Sequence, residues 1–415
     1  MVEIKNPLYD TVSVSTQSIH GDAHLRTTAD VVPPISVTTT FGYAKDKVDG
    51  CNYGLDQQYV YSRDTTPTVT KAEATLSTLT EGYAVLYGSG LSAALAVLIE
   101  HKPKKIAMGS CYFGVRNVVQ QYQALVPGAT VVNVDCALDG VDLVWIESPI
   151  NPTGEVLDIC SYALRAHAAG AILVVDSTLA PPPLSYPFRQ GADIVVHSAT
   201  KYLGGHCDLL AGVVVTKSAK SIESLRFARK TLGLGAGSLE AWLLLRSLRT
   251  LEVRVKQQSK TTARLVAMLE NHRRMACATA CHNPTAADLS LGRRIVSVQH
   301  ATLQFASCSS SPSRNCAGFD VTKQHPEGFG AVFAVRFATK EQAVFVARHL
   351  KLHRFATSLG GVESLVDWRH GWDSTADPAL LRVSVGLEGY EDLADDWKQA
   401  LLALDASETA AAARL

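Results

Sequence analysis

Two short runs of the chain constrain its fold more than any other feature: Ala171-Ile172-Leu173-Val174-Val175-Asp176-Ser177-Thr178 and Asp193-Ile194-Val195-Val196. Their apolar residues follow one another without polar alternation, so both faces of each segment need cover. Runs of this kind read as strands buried inside a parallel sheet. From about residue 61 to 235 other short apolar segments, at 84–87 and 141–146, alternate with helical stretches. That succession is the α/β pattern. A glycine cluster, Gly233-Leu234-Gly235-Ala236-Gly237, interrupts it. A long helical segment from 239 to about 270 then opens a C-terminal domain, where residues 331–337 alternate like a strand with one buried face.

The strand at 194–196 delivers His197-Ser198-Ala199-Thr200-Lys201-Tyr202-Leu203-Gly204-Gly205-His206. A lysine flanked by two hydroxyls and followed by a glycine pair suits a pyridoxal phosphate (PLP) site. The amine forms the Schiff base, the hydroxyls bond the phosphate, and the glycines let backbone pass close to the ring. Ser-x-Thr-Lys alone is a weak signal, since most lysines after a strand are simply solvated. Asp176, 25 residues upstream, strengthens it. A carboxylate at the carboxyl end of a parallel strand lies where open α/β sheets bind ligands. Paired with the pyridinium nitrogen, it makes the ring an electron sink. An aspartate that merely caps the next turn would explain the acid but not the lysine.

Gly88-Ser89-Gly90-Leu91-Ser92 leads from a strand into the helical run 93–100. A glycine-rich turn at a helix N-terminus offers backbone N–H groups and a favourable dipole to an anion. We therefore expect the cofactor phosphate here, with Gly90 and Leu91 as donors and Ser198 and Thr200 completing the cup.

With these motifs in place the chain resembles the Cys/Met-metabolism (trans-sulfuration) family of PLP enzymes, which includes cystathionine synthases and lyases. The resemblance runs from about Pro33-Pro34-Ile35 to Arg382-Val383-Ser384-Val385-Gly386-Leu387-Glu388. It is carried by Tyr61-Ser62-Arg63, Ser89-Gly90-Leu91, Tyr112, Glu147-Ser148-Pro149-Ile150-Asn151-Pro152, Asp176, Lys201 and Ser358-Leu359-Gly360-Gly361-Val362-Glu363-Ser364. It implies the aspartate-aminotransferase-like fold type I: a large domain with a mostly parallel sheet, then a smaller C-terminal α+β domain. The implied division is an arm at 1–60 on a neighbouring subunit, a PLP-binding domain at 61–235 and a C-terminal domain at 236–415.

The resemblance also assigns roles. Lys201, Tyr112 and Asp176 would be catalytic, with Tyr112 stacked on the pyridine ring and helping to deprotonate the incoming amine. Tyr61 and Arg63 would reach the phosphate of the adjacent subunit's cofactor, and arginine suits that task through its bidentate fork. Gly90, Leu91, Asn151, Thr178, Ser198 and Thr200 would complete the cofactor site. Asn151, Ser358 and Arg382 would hold the substrate, Arg382 on its α-carboxylate. The implied assembly is a homo-oligomer, a dimer of active dimers. Several positions depart from the family. Thr66 replaces an asparagine, and Phe113-Gly114-Val115 follows Tyr112. Thr357 stands where cystathionine-cleaving members often carry glutamate, and Gly114 where methionine γ-lyases have cysteine. Val366-Asp367-Trp368-Arg369-His370-Gly371-Trp372 replaces a Met-Thr-His segment.

Composition narrows the function further. At 415 residues and 47% hydrophobic, the chain can bury a large core. Lys+Arg and Asp+Glu are 39 each, so a nucleic-acid or membrane-surface partner is not expected. No apolar run reaches the roughly 18 residues of a membrane span, and the N-terminus lacks the apolar core of a secretory signal. Nine scattered cysteines argue for a reducing compartment, so the cytoplasm is expected. The terminal Ala413-Arg414-Leu415 offers a peroxisomal alternative. Cys277 and Cys281 beside His282 have no matching second ligand pair, so no metal is expected. Cys308 and Cys316 belong to a serine-rich loop.

Three functional readings follow. The first is a carbon–sulfur lyase cleaving cystathionine or a related cysteine or homocysteine conjugate by β- or γ-elimination. The second is cystathionine γ-synthase-like γ-replacement on an O-acyl-homoserine. The third is a PLP-binding protein without turnover, against which Lys201, Asp176 and Arg382 together argue.

Overall fold

The computed structural model describes residues 11–26, 28–42, 59–277, 291–307 and 319–412. The described residues divide into two compact units, one comprising those up to Ser148 and Asp158–Val253, the other Pro149–Leu157 and those from Arg254 onward. Cys281, His282, Cys308, Cys316 and Ala413-Arg414-Leu415 lie outside the described residues.

The first unit is built on a seven-stranded sheet: β1 (Tyr83–Tyr87), β2 (Lys105–Met108), β3 (Thr130–Asn133), β4 (Leu143–Glu147), β5 (Ile172–Asp176), β6 (Ile194–Ser198) and β7 (Gly212–Thr216). Their spatial order is β1-β7-β6-β5-β4-β2-β3. Only β7 runs against the others. The two apolar runs that constrain the fold are β5 and β6, adjacent and parallel as expected. Leu173, Val174 and Val175 are wholly buried because helices cover the sheet. One core cluster joins strand residues Val85, Tyr87, Trp145 and Val174 to Ala93, Ala96 and Val97 of the helix after β1.

The helices of this unit are α1 (Val14–His20), α2 (Pro67–Leu79), α3 (Gly90–His101), α4 (Phe113–Leu125), α5 (Ile159–Ala168), α6 (Ala219–Thr231) and α7 (Ser238–Leu248). Within the arm, Val14–His20 forms a helix capped by Ser13. Gly21 ends it against α2, where a Cβ would lie 2.9 Å from Thr75 Cα. The strand expected at 141–146 begins only at Leu143. Asp142 is diverted instead, its Oδ2 accepting the Lys104 and Lys105 N–H groups at 2.7 and 2.8 Å. The continuous helix expected from 239 is two helices, α7 and α8 (Leu251–Cys277), separated at Arg249–Thr250. There the Thr250 N–H turns back to Ser247 O at 3.2 Å.

The second unit carries a five-stranded sheet of β8 (Ile295–Gln299), β9 (Val332–Phe337), β10 (Arg354–Phe355), β11 (Leu365–Asp367) and β12 (Leu380–Ser384), ordered β10-β11-β12-β9-β8. Only the β10–β11 pair is parallel. β9 does not keep one solvated face: every residue but Arg336 is buried, because the strand lies inside the sheet between β12 and β8. Among the described residues no helix is long and apolar enough to cross a membrane.

Candidate active site

Strand direction decides where the site residues of the first unit collect. β1, β6, β5 and β4 end on one edge of the sheet, and reversed β7 begins there, so that Gly212 pairs with both Tyr87 and Ser198. A Cβ on Gly212 would lie 2.1 Å from Ser89 O and 2.8 Å from Gly90 Cα. Only glycine lets the turn into α3 press this closely on the sheet. A Cβ on Gly90 would in turn stand 3.0 Å from Ser198 Cβ and 3.1 Å from its Oγ. Ser89 caps α3, its Oγ accepting the Ser92 N–H at 3.0 Å. The amides of Gly90 and Leu91 head the helix, where N–H groups have no intrahelical acceptor. With the dipole behind them and Ser198 beside them, they form a cradle for an anion. The Gly233–Gly237 cluster also belongs here, since the Gly88 N–H donates to Leu234 O at 2.8 Å.

Asp176 ends β5, flanked by Glu147 and Val196 in register. Its Oδ1 accepts two bonds from Thr178, from N at 3.0 Å and from Oγ1 at 2.6 Å. Thr178 Oγ1 also accepts the Ser198 N–H at 2.8 Å. Thr178 thus aims the carboxylate and ties the ends of β5 and β6 together. Burial pushes the Asp176 carboxyl above its usual range, while the Thr178 bonds pull the other way. A cation beside it would favour the ionised form.

Glu147, at the end of β4, anchors the start of α4: its Oε2 accepts the Tyr112 N–H at 2.7 Å. The half-exposed Tyr112 ring lies over Gly114, where a Cβ would stand 2.5 Å from Tyr112 Cε1 and 3.1 Å from Leu91 Cδ2. Tyr112 and Leu91 therefore meet over a bare position. Cys111 is buried, and its thiol is pushed up to about 12, first by burial and then by the Glu147 carboxylate. It stays protonated and is no nucleophile.

Lys201 lies in a tight turn after β6, its N–H bonded to Ser198 O at 3.1 Å and its carbonyl accepting from Gly205 at 2.6 Å. The glycine pair serves this turn: a Cβ on Gly204 would meet Ala199 O at 3.0 Å, and Gly205 has φ +70°. Thr200 Oγ1 accepts the Ala211 N–H at 3.1 Å, which links the lysine turn to the approach to β7. Tyr61 and Arg63 are both exposed, with the Arg63 guanidinium 5.1 Å from the Tyr61 ring centre. A bridge between Thr40 and Tyr61 holds them to the N-terminal arm.

The remaining three residues belong to the second unit. Asn151 stands in a turn where the Gly154 N–H bonds Ile150 O at 2.7 Å. Arg382, on β12, is buried and donates from Nη2 to Ser358 O at 2.6 Å. Ser358 has φ +78°, a left-handed conformation that serine adopts only under constraint. Gly360 N–H to Ser384 Oγ at 3.0 Å and Gln258 Nε2 to Gly361 O at 2.7 Å supply that constraint. Arg382 also faces Asp367, directly opposite it on β11, at 2.9 Å.

Sequence reading missed three contributors. Glu147 was visible in its motif without a role, Gly212 acts through a cross-strand approach, and Asp367 acts through antiparallel register.

PLP fits what the first unit offers. The glycine cradle at the head of α3 suits its phosphate, the buried Asp176 carboxylate suits its ring nitrogen, and Lys201 supplies the amine. A sheet edge of this kind with this set of groups defines a PLP-dependent enzyme of fold type I. The chain belongs to the Cys/Met metabolism PLP-dependent enzyme family, whose model matches residues 15–402. It is 32% identical to a cystathionine gamma-lyase of Saccharomyces cerevisiae over 95% of this chain and 98% of that protein. A Bacillus subtilis cystathionine gamma-lyase is 31% identical, over 93% and 98%. Among solved structures, metB from Corynebacterium glutamicum superposes with a TM-score of 0.79 at 28% identity, covering 95% of this chain and 99% of that one.

Proposed function

We propose that the chain is a carbon–sulfur lyase that cleaves cystathionine or a related cysteine or homocysteine conjugate by β- or γ-elimination. The observation that carries this is the joining of Lys201, Asp176 and the Gly90 cradle on one sheet edge, in a chain similar along its length to proteins named cystathionine gamma-lyase. When bound, PLP supplies an electron sink for the pair left at the substrate Cα. Gly90, Leu91, Ser198 and Thr200 would hold its phosphate, and Asp176, aimed by Thr178, would keep the ring nitrogen protonated. Tyr112 would lie against the ring and would take a proton from the incoming amine. The Lys201 amine would hold the cofactor at rest and, once released, take the Cα proton. For a leaving group on Cγ, Lys201 would have to give that proton up again before it could remove one from Cβ. Asn151, Ser358 and Arg382 orient the substrate, Arg382 by its α-carboxylate.

The reading extends to the assembly. Tyr61 and Arg63, exposed on the arm side, serve the cofactor of a neighbouring subunit, so the active unit is a dimer and the whole a dimer of dimers. The free cysteines among the described residues fit a cytoplasmic enzyme.

A second reading, γ-replacement on an O-acyl-homoserine, is favoured by exposed and uncharged Thr357, which suits a neutral ester better than a distal ammonium. The test is incubation of the PLP-loaded protein with L-cystathionine and mass identification of products. Pyruvate or 2-oxobutanoate with ammonia supports the lyase. Absence of any keto acid, with turnover of an O-acyl-homoserine and a thiol, supports replacement instead.

A further inference from the structure

The arginine proposed to clamp the substrate carboxylate has a carboxylate of its own. Asp367 and Arg382 are paired residues of β11 and β12, each 3% exposed, and Asp367 Oδ2 lies 2.9 Å from Arg382 Nη2. The same Nη2 donates to Ser358 O at 2.6 Å. Three features make this more than an incidental ion pair. The register of two antiparallel strands sets it, so it does not depend on a mobile side chain. It is buried, so solvent and salt screen it less than a surface pair. And it falls on the guanidinium nitrogen that both common bidentate geometries use, end-on with Nη1 or side-on with Nε.

We propose that Asp367 is a positioning and specificity-determining residue: a built-in counter-ion that holds the Arg382 guanidinium in place and competes with the α-carboxylate of the substrate. The inference rests on the carboxylate role proposed for Arg382. A buried arginine without a counter-ion would be costly in the empty enzyme, and Asp367 removes that cost. The incoming carboxylate then meets a neutralised pair and must share Nη2 or displace Asp367. Binding strength at this point is therefore set by the difference between two carboxylates, and the pair penalises ligands that present theirs out of line.

The test uses the PLP-loaded enzyme and two inhibitors without a leaving group, L-norleucine and L-norleucinamide, which differ only at the carboxyl. Asp367→Asn keeps the size and an acceptor oxygen but removes the charge. It is expected to lower the inhibition constant of norleucine roughly tenfold, the scale of one partly screened charge, and to leave that of the amide unchanged. KM for the amino-acid substrate should fall with it while kcat changes little. Asp367→Glu pushes the charge further onto the guanidinium, so norleucine should weaken severalfold and the amide should not. This second variant decides the matter if the first does not accumulate as holoenzyme. Equal shifts for both compounds, or none, overturn the counter-ion role. Arg382→Ala separates the two layers. If it leaves norleucine binding unchanged, the reading of Arg382 itself has failed; if it weakens norleucine while Asp367→Asn does not tighten it, only the role of Asp367 has.

Discussion

The edge of the seven-stranded sheet and the β11–β12 pair of the second unit organise polar groups in opposite ways. On the sheet edge the arrangement is built mostly from backbone and bare positions: Gly90, Gly212, Gly114, and the amides at the head of α3. Charged side chains there, Asp176 and Glu147, are held by bonds from neighbouring N–H groups or hydroxyls. On β11–β12 the buried Arg382 is paired with the buried Asp367. The first arrangement tolerates little change at Gly212, whose close neighbours are main-chain atoms of Ser89 and Gly90. The second depends on two charges that one substitution can retune. Of the departures from the family pattern, Thr357 and the segment Val366 to Trp372 flank the arginine, and Phe113-Gly114-Val115 lies beside Tyr112 on the sheet edge, where the lysine, the aspartate and the Gly90 turn keep their residues.

If the sheet edge carries the chemistry, its central residue should show the largest effect. Lys201→Ala is expected to abolish the visible absorbance of the lysine-linked cofactor and to lower turnover by at least about 10³-fold, the upper range for a general base. Full activity in that variant would end the account. Next comes the claim that bare positions matter. Gly212→Ala sets a Cβ 2.1 Å from Ser89 O, which should cost about 2–3 kcal/mol and weaken PLP retention, whatever the chemistry of the new side chain. Calorimetry with a PLP titration would show both; an unchanged midpoint would mean that the turn into α3 gives way freely.

The second unit has its own sensitivity, to acid. Asp396 is buried, which would raise its carboxyl, yet the His353 ring and the N–H groups of Lys351 and Leu352 hold it down at about 2. A depressed carboxyl contributes stability that is present above its ordinary value of 3.8 and lost as pH falls through about 2. Asp396→Asn should therefore lower the thermal midpoint at pH 7 and flatten its decline between pH 5 and pH 2. The smallest effect belongs to specificity. Thr357→Glu should raise cystathionine turnover by a few fold, the scale of an exposed ion pair with a distal ammonium. No change would mean that this position does not meet the substrate.

The same contrast explains what was legible in the sequence. β5 and β6 announce themselves because strands covered on both faces are apolar without interruption, and Asp176 and Lys201 follow directly at their ends. The anion cradle was half legible: Ser89-Gly90 marks a strand-to-helix turn, but the need for Gly212 arises only because β7 is inserted, reversed, between β1 and β6. Thr178 and the Gly204-Gly205 pair, expected to serve the cofactor, also shape the turns that carry Asp176 and Lys201, through the Thr178 bonds and the Gly205 φ of +70°. The Asp367–Arg382 pair left no local trace, since antiparallel register brings together residues 15 positions apart. The break at Arg249–Thr250 was likewise unmarked, since neither glycine nor proline stands there.

The most direct test of the central claim is to reduce the PLP-loaded protein with borohydride and map the modified peptide by mass spectrometry. The account predicts a single pyridoxyl group on the lysine in Ser198-Ala199-Thr200-Lys201. A pyridoxyl group on another lysine, or none on a protein shown to hold PLP, would contradict it.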